Sequence, residues 1–199
     1  RYEQIAFLIL DHNPVVNTRT GIYIDPPGGY TPLHMAIDNP KLLNELIARG
    51  ADLNAQASWG VTPLTSALSA GYTNAASILL AAGAVIPKEG HAASSLFHDA
   101  AFLASDTNAG LAKAEETFRL LIRAGADPNG KSDTFDGDTA LHLAISQIDE
   151  PALFVKMLVN AGANVNVRGR EGMTPLHLAA MFAKLDSAKL LVGAGADTT

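Results

Sequence analysis

The sequence predicts an all-α solenoid of stacked helix–turn–helix layers joined by extended turns, and three observations carry that prediction. A Thr-Pro-Leu-His type of phrase recurs, as GYTPLHMAI (29–37), GDTALHLAI (137–145) and GMTPLHLAA (172–180). A Gly-Ala phrase follows each copy, and its glycines (Gly50, Gly83, Gly125, Gly162, Gly195) stand 33, 42, 37 and 33 residues apart. Between the phrases lie apolar runs of helical length, such as LLNELIA, AASILLAA and FVKMLVNA. A period near 33 marks a repeat array, in which one unit cannot bury its own apolar face and must stack on a neighbour.

Each element follows from its residues. The motif threonines are Thr31, Thr62, Thr139 and Thr174; Ser95 takes the same place in a weaker copy, SLFHDAA. A threonine caps a helix because its hydroxyl accepts a free amide of the first turn. Proline suits the first helical position, where an N–H would have no partner. Leu33, Leu64, Leu141 and Leu176, with the alanines after them, give a short first helix with a thin apolar face. The second apolar run of each unit ends at glycine, which tolerates the left-handed conformation beyond a helix end. Asp- and Asn-rich residues then turn the chain away.

Composition bounds the rest. Apolar residues make up 48% of the 199 and charged residues 17%, which describes a core-forming chain rather than a disordered one. No apolar run approaches the ~18 residues of a membrane-spanning helix, so no membrane partner is expected. The net charge is −6 and no window clusters Lys and Arg, which argues against nucleic acid as a partner. The absence of cysteine removes disulfides, thiolate nucleophiles and Cys-ligated metal sites, and it fits a reducing, cytoplasmic location, with the nucleus left open. The first residue is Arg1, and neither YEQIAFLIL nor AKLLVGAGADTT has the polar face of a terminal unit. Further repeats, another domain or a second copy are therefore expected beside the ends.

The two phrases and their spacing resemble ankyrin repeats over nearly the whole chain. The resemblance implies a single domain over 1–199: a partial unit at 1–25, then units at 26–56, 57–89, 90–133 with an insertion near 104–112, 134–168 and 169–199, the last cut short. Three departures stand out. Thr65 replaces the motif histidine in the second full unit, Ser95 replaces threonine in the third, and the third also carries about nine extra residues.

The resemblance implies that the motif histidines His34, His98, His142 and His177 bridge the turns of adjacent units through the imidazole, a structural role shared with Thr31, Thr62, Thr139 and Thr174. Histidines spaced along a stack do not converge on one metal ion. His98 and Asp99 are sequence neighbours, which do not face each other on a helix. No nucleophile elbow, zinc-protease helix motif or phosphate loop occurs. No cofactor, no metal and no catalytic residue are expected.

A non-catalytic protein-interaction module is the resulting expectation, with a protein or peptide bound on the concave face that the resemblance assigns to finger loops and first helices. The residues so selected are Tyr30, Trp59, His91, Phe135, Asp136, Asp138, Arg170 and Met173 on the fingers, and Asp38, Phe102, Met181 and Phe182 at the exposed ends of first helices. Large aromatics on such a face are the residue types that carry binding energy. Two other readings stay open: an enzyme or small-ligand pocket at the irregular third full unit (His91, His98, Phe102), and a structural or self-associating spacer of a larger protein.

Overall fold

The computed structural model describes residues 16–19, 28–88, 95–104, 108–131 and 137–199. Among these, ten α-helices follow one another, and the only β-type pairing is an isolated antiparallel bridge between Lys131 and Thr139. The fold is an all-α repeat solenoid. The helices pack in consecutive pairs: α1 (Pro32–Met35) with α2 (Pro40–Ala48), α3 (Pro63–Ser69) with α4 (Thr73–Ala81), α5 (Leu96–Phe102) with α6 (Asn108–Arg123), α7 (Ala140–Gln147) with α8 (Ala152–Asn160), and α9 (Pro175–Met181) with α10 (Leu185–Gly193).

The chain divides into two compact units, Arg1–Ala92 and Ala93–Thr199. In the first, α1 packs on α3 and α2 on α4, so first helices meet first helices and second helices meet second helices. Leu33, Leu43, Leu64 and Leu79 lie fully buried between these layers. In the second unit the same rule runs through three layers: α5 against α7 against α9, and α6 against α8 against α10. Its core is partly aromatic. Phe97 meets Phe118 edge-to-face at 5.4 Å between ring centroids, and Phe118 meets Phe154 at 4.9 Å. Edge-to-face pairs set the positive rim of one ring on the negative face of the next.

Local chemistry sets the helix ends. Asn39 Oδ1 accepts the Leu42 N–H at 3.1 Å, and Pro40 occupies the first position of α2. Part of the extra length of the irregular layer is helix: α6 has 16 residues, where α2, α4, α8 and α10 have 9 each. Its first turns present Leu111, Ala112 and Lys113 to solvent, while Ala114, Thr117, Phe118 and Leu121 are buried.

Phe118 contacts rings on either side, so its removal opens a cavity that helices on both sides must close. Phe118→Ala is expected to lower the unfolding free energy by about 3–5 kcal/mol, and Phe118→Leu by clearly less. Urea titration followed by far-ultraviolet circular dichroism measures both.

Candidate protein-binding surface

In three layers a motif histidine, His34, His98 or His142, joins its layer to the next. In α1, His34 Nδ1 faces the Thr31 backbone N–H at 3.1 Å and Thr31 Oγ1 at 2.9 Å, while Nε2 lies 3.1 Å from the Val61 carbonyl. A carbonyl only accepts, so the proton sits on Nε2 and Nδ1 is the acceptor. His142 repeats the arrangement with Thr139 at 3.1 and 2.9 Å and the Met173 carbonyl at 3.0 Å. His98 Nε2 donates to the Asp138 carbonyl at 3.0 Å. His177 keeps the cap with Thr174 (Nδ1 to Oγ1, 2.7 Å), and it is exposed. In the second layer the Thr65 hydroxyl takes over the capping part, accepting the Thr62 N–H at 2.8 Å.

A second set of links was not read from the sequence. Asparagine side chains in the Gly-Ala phrase, and Asn17 ahead of the first such phrase, reach the phrase of the next layer. Asn17 Oδ1 accepts the Asp52 N–H and Asn54 Oδ1 the Val85 N–H, at 2.8 and 3.0 Å. Asn129 accepts from Asn164 N at 2.7 Å and donates to the Gly162 carbonyl; Asn166 does the same with Asp197 N and the Gly195 carbonyl. The signal was present in the recurrence of Asn at the last place of RGADLN, AGADPN and AGANVN.

The fingers are pinned as well. Asp138 Oδ1 accepts the Arg170 N–H at 2.8 Å. Gly169 lies so close beneath that a Cβ there would strike the Asp138 carboxylate and come within 2.9 Å of His142 Nε2. In the first unit, the Ser58 hydroxyl donates to the Gly28 carbonyl at 2.8 Å. The tips at 57–61 and 169–173 share one turn: Ala57 N–H to Val61 O at 2.7 Å, and Gly169 N–H to Met173 O at 2.9 Å. Each tip holds a non-glycine residue in the left-handed region, Trp59 (φ 59°) and Glu171 (φ 56°), followed by a glycine that is also left-handed. That conformation costs an L-residue roughly 1–2 kcal/mol.

The residues expected to bind a partner fall into different surroundings. Trp59 is 69% exposed at its fingertip; Met181 (61%) and Phe182 (44%) are exposed at the end of α9. Asp38, Phe102 and Arg170 are also exposed. Tyr30 is half-buried with its ring edge-to-face with His34, 5.1 Å between centroids. Asp138 and Met173 are half-buried, the first bonded to the Arg170 amide and the second lending its carbonyl to His142. The Arg170 guanidinium lies 3.7 Å from the Glu171 carboxylate. His91, Phe135 and Asp136 lie outside the described residues. Among the described residues, no three His, Asp or Glu side chains gather as a metal site would require, and no helix is long and apolar enough to cross a membrane.

A stack of capped helix pairs, held by imidazole–carbonyl bonds and presenting side chains at its tips, defines a class: a repeat array whose layers are structural and whose edges are free to vary. The family model described as ankyrin repeats, in three copies, matches residues 2–90 and 97–199. The chain belongs to the ankyrin-repeat family, whose domains are in general non-catalytic protein–protein interaction modules. It is 30% identical over 193 residues to the nuclear factor NF-kappa-B p105 subunit of Gallus gallus, covering 94% of this chain and 18% of that protein. It is 33% identical over 148 residues to the p105 subunit of Mus musculus, covering 74% of this chain and 14% of that protein. The chain thus spans less than a fifth of either relative. Among solved structures, an ankyrin repeat domain from Acinetobacter baumannii aligns over 98% of this chain and 93% of its own, at 28% identity and a TM-score of 0.73. The ankyrin repeat domain of Bcl-3 shares the fold, at 21% identity and a TM-score of 0.69 over 98% and 80% of the two chains.

Burial lowers the pKa of His34 and His142 below the ordinary 6.5, outweighing the opposing effect of the carbonyl that each Nε2–H meets. A second proton would go on Nδ1, where it expels the Thr N–H bond. The unfolded chain therefore binds protons more readily than the folded one just below 6.5. The contribution of these two groups is complete above about pH 6.5 and is lost progressively as pH falls through that value toward the lower folded pKa. Thermal midpoints measured from pH 8 to 5 are expected to fall on the acid side, and His142→Gln to flatten part of that slope.

Proposed function

We propose that the chain is a non-catalytic module that binds a protein partner on the face formed by its finger loops and the exposed ends of its first helices, with Trp59 as a principal anchor in the first unit. One observation carries the reading. Trp59 occupies a left-handed position that costs stability, and most of its indole surface stays in water. Burial does not compensate for that backbone cost, and Asn or Gly would fill the position with less strain. A residue that folding disfavours and solvent does not reward is one kept for contact with something else.

The neighbouring fingertip supports this use. The Gly28–Tyr30 segment is tied to the Trp59 finger through Ser58, so the indole projects from a pinned base and little ordering remains to be done on binding. The curated relatives are by name subunits of a protein assembly, and a protein partner is the part of that likeness carried over to this chain.

Trp59 is the only tryptophan, so its emission reports directly on the site. Binders selected from a displayed peptide library should shift that emission to shorter wavelength. Trp59→Asn is expected to weaken them about tenfold or more while raising the unfolding free energy by about 1 kcal/mol. Binders that ignore both the emission and the substitution would remove this fingertip from the binding face.

A further inference from the structure

In the last layer, Met181, Phe182 and Leu185 are exposed within five residues of one another, Leu185 at 66%. The turn between them is tight. Ala183 is left-handed (φ 54°), its N–H bonds the Ala180 carbonyl at 3.2 Å, and the Lys184 N–H bonds the Ala179 carbonyl at 2.8 Å. Gly71 holds the same place and conformation in the second layer. The apolar residues are not required by the stacking. The register position of Met181 is Asp38, Ser69, Phe102 and Ser146 in the four layers before it, and that of Leu185 is Thr73 in the second and Ala152 in the fourth.

Beside this knuckle lies an acidic step. The Lys184 ammonium donates to the Asp149 backbone carbonyl at 2.6 Å, which sets the turn of the last layer directly against Asp149 and Glu150 of the layer before. Both residues are exposed, and among the described residues neither carboxylate makes an ion pair. On α10, Lys189 is paired with Asp186 at 3.2 Å. The chain as a whole carries a net charge of −6.

We propose that this turn edge docks a basic amphipathic helix of a partner protein, its apolar stripe on Met181, Phe182 and Leu185 and its Lys or Arg side chains on Asp149 and Glu150. An apolar cluster bordered by unpaired carboxylates complements a segment that is apolar on one side and cationic at its margin. A second copy of this chain brings the same negative charge, and an anionic lipid surface meets the same repulsion. The site rests on the proposed reading of the first-helix ends as a protein-binding face and deepens it at α9, and it stands even if Trp59 proves inert.

The test uses a labelled Leu/Lys amphipathic helix and its Leu/Glu counterpart, with the Met181 methyl signal read by NMR and affinity by fluorescence anisotropy. The Leu/Lys peptide should shift the Met181 methyl and leave that of Met35, exposed in the other unit, unmoved. Phe182→Ser with Leu185→Ser, and separately Asp149→Lys with Glu150→Lys, should each weaken it about tenfold. Glu116→Lys, on the exposed side of α6, should change affinity less than about twofold. The methyl shift needs no variant, so it stands even if a substituted chain fails to fold. Equal binding of the Leu/Glu peptide, an unmoved Met181 methyl, loss of affinity equal in Glu116→Lys, self-association through this edge in sedimentation, or preferential binding of phosphatidylglycerol vesicles would each overturn the assignment.

Discussion

The structure depends on an imidazole whose two nitrogens do different work. Nδ1 closes the first turn of its own helix through the motif threonine, and Nε2–H fastens that helix to a carbonyl in the following finger. The two bonds together require a neutral ring in one tautomer, held where burial favours that state. It also fixes two geometries at once. The helix start and the base of the next finger cannot move independently, so whatever a finger carries at its tip is presented from a braced root. Asp138 and Gly169 extend the brace, one through the Arg170 amide and the other by leaving room for the His142 ring.

The asparagine links act at the far end of the second helices. There a side-chain amide replaces the imidazole as the group that satisfies backbone donors and acceptors of the neighbouring layer. These turns are largely exposed, so the links add order between layers more than they rescue main-chain groups from burial. The phrase AGAVIP (82–87) departs from this chemistry, with Val85 in place of the usual Asp or Asn and Pro87 in place of the ladder Asn. Pro87 has neither a side-chain amide nor a backbone N–H to offer. The boundary between the two compact units falls shortly after this phrase, between Ala92 and Ala93.

Much of the fold was legible because it is written in local rules. Thr31, Thr62, Thr139 and Thr174 mark helix starts wherever they occur, and the glycines mark helix ends. What was not legible depends on side chains reaching across a whole period. Asn54 bonds a residue 31 positions away and Asn129 one 35 away, and a single-residue reading of Asn sees only a turn former. Asp138 looks like a surface charge in sequence, yet its carboxylate is engaged with the next finger. Leu185 looks like the first core residue of α10, because nothing local reveals that the turn at Ala183 leaves it in water. The left-handed backbone at Trp59 was likewise invisible, since tryptophan carries no preference for it.

These failures separate architecture from use. The motif threonines cap, His34, His98 and His142 bridge, and Asn54, Asn129 and Asn166 link, so each has a structural account. Trp59, Met181, Phe182 and Leu185 have no such account. Trp59 occupies a backbone conformation that its residue type does not favour, and the other three expose apolar surface at positions where the second and fourth layers have Ser69 and Ser146, Ala70 and Gln147, and Thr73 and Ala152. Stacked layers tolerate that because each tip and turn contributes little to the core between layers, so substitutions there cost tenths to a few kcal/mol rather than the fold. The repeat thus confines its structural demands to a few positions per layer, and the positions it leaves unconstrained are the ones where contact with a partner can be built.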